Sequence, residues 1–192
     1  PTTKEVTVLT FGTDNAYVFA GVGGPYWTDS NNDGVINGDD TPASAGATGV
    51  ALGGVQVGLA LFKPTDTADT DSYLSLAAAA DVAKFVGIPG IELSAKGISI
   101  AVNQVKSTDP TAPALNLSGL AGGGVTVATG GDDVLLDYSA DVLRVEIADA
   151  TLSLSEFVYI RGGFAFEKGP EIEVTDTDGT KKAVNTLTLG AS

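Results

Sequence analysis

Residues 29 to 40 read Asp-Ser-Asn-Asn-Asp-Gly-Val-Ile-Asn-Gly-Asp-Asp, which puts oxygen-bearing side chains at positions one, three, five, nine and twelve of a twelve-residue stretch. Calcium is a hard cation that takes six to eight oxygens, and alternate residues of a tight loop can all point at one centre. The candidate ligands are Asp29, Asn31, Asp33, Asn37 and Asp40, and the Val35 backbone carbonyl would fill position seven. Gly34, at position six, lets the chain turn sharply, and Ile36 is the apolar residue expected to pack the loop onto the fold. Position twelve is Asp40 and not the longer glutamate, so capture by both carboxylate oxygens is weaker or draws on Asp39. The competing reading is an ordinary Asn/Asp/Gly surface loop. The flanks, Gly21-Val22-Gly23-Gly24-Pro25 before and Pro42, Gly46 and Gly49 after, do not read as helices. A calcium ion here would therefore be a structural staple and not a sensor that opens a groove.

Other chemistry is sparse. There is no histidine and no cysteine, which removes the commonest general base, the thiolate nucleophile and any disulfide framework. An enzyme would need a carboxylate pair or a Ser–Lys pair. Glu146, Asp149 and Glu156 are expected on strands facing solvent, and Asp141 and Arg144 are close enough in sequence to pair. Asp66, Asp69 and Asp71 share one loop but match no metal-loop spacing, and Asp132-Asp133 reads as a solvated turn. Tyr26 and Trp27 stand just before the calcium loop. They either brace it against the sheet or offer an exposed aromatic face to a sugar ring. The expectation is a chain without catalytic residues.

Ten basic against 24 acidic residues give a net charge of −14, which disfavours nucleic acid and anionic membrane surfaces as partners and attracts divalent cations. Hydrophobic residues make up 43%, enough for a folded core, and 25 glycines point to a turn-rich β-protein. No stretch is long and apolar enough to be a membrane-spanning helix. Methionine is absent, including at position 1, so the chain reads as a segment of a longer one.

Period-two alternation dominates what must position the loop. Val6, Val8 and Phe11 open the chain; Val55, Val57, Leu59 and Leu61 alternate up to Pro64. Ile91, Leu93 and Ala95 are followed by Ile98, Ile100 and Val102, with the phase slipping at Lys96-Gly97, which reads as a bulge or tight bend. Leu143 to Ile147, Leu152-Leu154, Val158-Ile160 and Phe164-Phe166 continue the pattern. Ile172 and Val174 run into Asp178-Gly179 and out through Val184, Leu187 and Leu189, a hairpin signal. Leu74 to Val86, with its alanine run, fits either a helix or a strand. The predicted fold is all-β, an elongated and mainly antiparallel sandwich-like module with long bulged strands; a β-solenoid stack is the alternative.

Leu9-Thr10-Phe11-Gly12-Thr13 resembles Leu187-Thr188-Leu189-Gly190-Ala191 at an offset of 178 residues. Residues 1–192 are thus expected to be one repeat module of about one period plus an overlap. The order of Phe19 to Trp27, the calcium loop, Gly58-Leu59-Ala60-Leu61-Phe62-Lys63-Pro64 and Gly162-Gly163-Phe164-Ala165-Phe166-Glu167-Lys168 resembles the tandem repeats of giant bacterial cell-surface, adhesin-like proteins. The loop itself is similar to those of dockerin-type modules. The resemblance implies a secreted array on the bacterial surface, units that act as spacers, calcium as the stiffening ion, and neighbouring copies of the module as head-to-tail partners. A calcium-dependent module binding surface glycans is the second reading.

Overall fold

Branched and aromatic residues alternating with small or polar ones favour extended backbone, and the computed structural model, which describes residues 3–43, 45–155 and 157–192, is built of strands alone. In chain order they are β1 (Val6–Val22), β2 (Thr48–Pro64), β3 (Ser72–Val86), β4 (Ile91–Lys106), β5 (Val125–Val127), β6 (Val134–Leu136), β7 (Val142–Leu154), β8 (Val158–Thr175) and β9 (Lys181–Ala191). Seven of them form one sheet in the order β1-β2-β3-β4-β7-β8-β9, and β5 and β6 pair as a small second sheet. Every pairing is antiparallel, so the chain is a long meander and not a solenoid. β2 has 17 residues, about 55 Å of extended chain at ~3.3 Å per residue. The segment from Leu74 to Val86 is a strand, part of β3, with ladders to β2 and β4 on either side. Pairing on both sides overrides the helix propensity of its alanine run.

The phase slip in the sequence coincides with a line of distorted backbone across the sheet. Asn15, Gly54 and Gly97 have φ of 50°, 63° and 59°, and the register sets Asp81 between the two glycines. The β1–β2 ladder is irregular around Ala16, and the β7–β8 ladder between Ile147 and Ala150. On one side of this line the apolar residues are Leu59 and Leu61, Ile98 to Val102 and Leu143 to Ile147. On the other they are Val50 and Leu52, Ile91 to Ala95 and Ala150 to Leu154, at the opposite parity. A bulge re-aims the side chains that follow it, which is how the strands accommodate the change.

Two segments cover the sheet, and each builds a small core. Beyond β4, the connection to β7 lays the β5–β6 hairpin over β1 to β3, burying Ala60, Phe62, Tyr73, Leu117, Val127, Val134 and Leu136. The approach is so close that a Cβ on Gly12 would meet the Ala128 carbonyl and one on Gly58 the Val134 side chain. Asn103, 1% exposed, ties this cover down: its amide nitrogen donates to the carbonyls of Leu115 (2.9 Å) and Ala140 (2.8 Å), and its oxygen accepts from the Ser75 hydroxyl. Near the other end, the β1–β2 connection packs Tyr26, Trp27 and Ala47 on Ala51 and Val86.

Asn103→Ala is therefore expected to destabilise the fold by about 2–4 kcal/mol, because a buried hydroxyl and two carbonyls lose their partner. Urea unfolding of the variant and the parent chain measures this.

Candidate metal centre

The candidate loop grows from the aromatic platform of the second core. Trp27 meets Tyr17 edge-on at 5.0 Å and Tyr26 at 4.8 Å, while Phe19 stacks on Tyr26 at 5.7 Å. The indole N–H of Trp27 donates to the Val18 carbonyl at 2.9 Å. The Lys84 ammonium from β3 lies 5.2 Å from the Tyr26 ring and 5.7 Å from that of Trp27. Both rings are buried, so they brace the loop and present no open face to a sugar. The loop closes above them where the Ala43 N–H donates to the Tyr26 carbonyl at 2.8 Å.

Within the loop the predicted ligands wind the backbone around their own side chains. The Asp29 carboxylate accepts from the N–H of Asp33 (3.1 Å) and Gly34 (2.9 Å). Asn31 accepts from Asp33 N–H, Asp33 from Val35 N–H and Asn37 from Asp39 N–H, each two residues on, as Asx turns do. Gly34 turns with φ of 88°. Asp40 is the hub. Only 7% exposed, it accepts from the N–H of Ser30 (2.7 Å), Asn31 (3.4 Å) and Asn37 (2.9 Å) and from the Ser30 hydroxyl (3.2 Å).

The structure thus draws Asp29, Asn31, Asp33, Asn37 and Asp40 into one hydrogen-bonded turn. Among the described residues, no three carboxylates converge closely enough to hold an ion by themselves. The donor set is still all oxygen, with the amide oxygens of Asn31 and Asn37 and the Val35 carbonyl beside the carboxylates. Asp29 and Asp33 each accept two hydrogen bonds and keep lone pairs to spare, whereas Asp40 already spends its acceptor sites on three N–H groups and the Ser30 hydroxyl. Such a set suits a hard divalent cation and no soft metal. Ile36 departs from expectation: it is 39% exposed and does not anchor the loop, a task that falls to the Tyr26–Trp27 platform. Asp40 is a candidate ligand by its spacing, but no sequence signal marks it as buried.

The other acidic residues have local partners. Asp69 and Asp71 hold the Lys4 ammonium at 2.7 and 2.9 Å, and Tyr73 accepts a hydrogen bond from it. This clamp fastens the segment before β1 to the β2–β3 loop. The Asp132 turn docks on Asp14, which accepts from the Asp132 N–H (3.1 Å) and from the Gln56 amide (3.1 Å). Arg144 pairs with Glu167 across the β7–β8 ladder and not with Asp141, which is three residues away along the same strand region. Arg161 engages Asp149. Glu146 accepts from Ser99, and Glu156 lies outside the described residues. Asp176 and Asp178 shape the β8–β9 hairpin, as the Asp-Gly signal predicts. Lys4, Asp14, Lys84 and Asn103 carry these attachments without any local motif that marks them.

Hydrogen bonding by Asn37 N–H, then by Ser30 and Asn31, holds the Asp40 carboxyl below its ordinary value, against the opposing effect of burial. Burial, followed by the charges of Asp81, Asp39 and Asp40, pushes the Tyr17 hydroxyl up, so it stays neutral beside the loop. A carboxyl with a depressed folded-state value stabilises the fold above its unfolded value, and this stabilisation is lost as pH falls through the folded value. The loop is therefore expected to hold from neutral pH to about pH 4 and to loosen below it. Trp27, the single tryptophan, reports this as a red-shift of its emission. In Asp40→Ala the shift is expected already at neutral pH, since three N–H groups lose their acceptor.

Compared with protein-family models, with curated proteins and with solved structures, the chain matches none of them.

Proposed function

We propose that this chain is a non-catalytic structural module, one unit of an extended bacterial cell-surface array, in which the loop of residues 29–40 takes a calcium ion that fastens the β1–β2 connection onto the sheet. The observation that carries the reading is the winding of the loop around Asp29, Asp33 and Asp40, with Asx turns at alternate positions and Gly34 in the left-handed region. An ion at its centre would bind the folded loop in preference to the unfolded chain and so stabilise the fold. Loops of this kind in extracellular modules bind with Kd of roughly 10⁻⁴ to 10⁻³ M, which is of use where calcium is millimolar, outside cells. The net charge of −14 adds to the case, because bound cations relieve self-repulsion. The spacer role is supported by a long meander whose first and last strands lie at opposite edges of the sheet. With Tyr26 and Trp27 buried, no observation favours glycan binding at this loop.

Thermal unfolding in excess chelator and again in calcium tests the proposal. At a calcium concentration about 100 times Kd the expected gain is about 2.7 kcal/mol. For a chain of this size that corresponds to a rise in Tm of roughly 5–10 °C. Asp33→Ala is expected to abolish the rise. Asp69→Ala, which loosens the Lys4 clamp, should lower Tm in both conditions and keep the rise. Equal loss of the calcium effect in both variants, or no rise in the parent chain, overturns the proposal.

A further inference from the structure

The two outermost strands of the main sheet correspond in sequence, direction and face. At the offset of 178 residues, Lys4 and Lys182, Val6 and Val184, Leu9 and Leu187, Thr10 and Thr188, and Gly12 and Gly190 are identical pairs. β1 and β9 run in the same direction, because six antiparallel pairings separate them. Laterally paired residues share a face, and one row crosses the whole sheet: Thr13, Val57, Ala78, Ile100, Val145, Phe166 and Leu189. Leu9 and Phe11, at the same parity as Thr13, therefore stand on the face that carries Leu187 and Leu189. All four are largely exposed, at 68%, 61%, 65% and 76%.

Gly12 and Gly190 sharpen the correspondence. Gly12 is glycine for a visible reason, since the Ala128 carbonyl of the β5–β6 cover sits where its Cβ would be. Gly190 has nothing within 4 Å of its Cβ position. A glycine in a strand costs stability and packs nothing, so an uncrowded one has no local reason. It has one if a second β5–β6 hairpin lies over β9 as this one lies over β1.

We propose that the sheet continues without a break into a following copy of the module, with β9 serving as that copy's β1. This deepens the array reading above and is independent of its calcium. The outer edge of β9 then receives the next copy's β2, and the outer edge of β1 receives the preceding copy's β8. Each repeat contributes six strands to the sheet. β2 and β8 suit the two flanks of one strand: Gly58-Leu59-Ala60-Leu61 and Gly163-Phe164-Ala165-Phe166 alternate alike, and their large residues face the leucine side of β1 and β9. The row that enters at Thr13 leaves at Leu189, the counterpart of Phe11. Each copy therefore steps two residues along the strand direction, about 7 Å. A head-to-tail contact with such a step does not close into a ring and gives an open, staggered ribbon.

The test is a chain in which residues 1–186 run directly into residues 9–192, compared with the single chain and with two full copies joined by a flexible Gly/Ser linker. In the single chain and the linked pair, alternate amides of β1 and β9 point away from the sheet and exchange quickly with solvent. In the direct splice, the amides of Leu9 to Gly12 in the second copy are expected to exchange about 100-fold more slowly, because both sides of that strand are now paired. The terminal edges of the splice should remain unprotected. Exchange at the single-chain rate in the junction strand overturns the proposal, as does a direct splice that fails to fold while the linked pair folds. Junction protection that persists in chelator, with no calcium effect on Tm, would sink the calcium reading and leave this one standing.

Discussion

Everything in the described structure hangs on one continuous backbone ladder. Six antiparallel pairings join strands of 11 to 18 residues, so the backbone groups of most of the chain are satisfied laterally. Side-chain burial contributes less than is usual for a chain of this size. The two cores are small and lie apart, and many large apolar residues on the sheet remain partly exposed. Since the ladder must run through strands far longer than the common five or six residues, it accumulates twist and phase error. The line of positive-φ residues through Asn15, Gly54 and Gly97 is where the sheet absorbs them.

Given that ladder, the two cover segments need only be attached, and each is organised around one buried polar side chain. Asp40, Ser75 and Asn103 are the buried polar residues among those described. Asn103, aided by Ser75, fixes the β5–β6 cover with a neutral group whose donors and acceptor are all used. Asp40 closes the β1–β2 connection on itself with a charged group that only accepts, and the Trp27 indole N–H, donating to the Val18 carbonyl, ties that connection to β1. The difference has a consequence. A neutral amide saturated by neighbours holds at any pH, whereas a carboxylate held by N–H groups loses its grip once it is protonated. This asymmetry makes the first cover the one whose stability responds to acid.

The fold class was legible because period-two alternation survives in almost every strand, and the Lys96-Gly97 slip named a real distortion. Ile91 to Ala95 and Ile98 to Val102 belong to one strand, because a positive-φ glycine carries the ladder through the slip. The single broad sheet with a small second one was not legible, since alternation tells which residues share a face and not what covers that face. The calcium-loop pattern located the polar turn, as its chemistry lies in adjacent residues. The contributions of Asn103, Asp14 and Lys4 were invisible for the opposite reason: their partners are 12 to 118 residues away in sequence.

Sheet edges are where such an architecture is exposed to error. Natural proteins blunt free edges with charges, prolines or short strands, because a long apolar edge pairs with whatever strand it meets. β1 has 17 residues and ends its uncovered face with Leu9 and Phe11; β9 does the same with Leu187 and Leu189. Lysines at 181 and 182 guard only the start of β9, where they pair with Glu173 and Asp176. Thr-rich strands of this kind also specify register weakly, since a slip of two residues returns every side chain to the same face. What does fix register is steric: Gly12 admits the Ala128 carbonyl, and a slip of two would bring Thr10 or Asp14 beneath it, where a Cβ does not fit. A glycine under the hairpin is thus a registration mark as well as a packing necessity, and the strand that carries its duplicate, Gly190, is already cut to accept the same alignment.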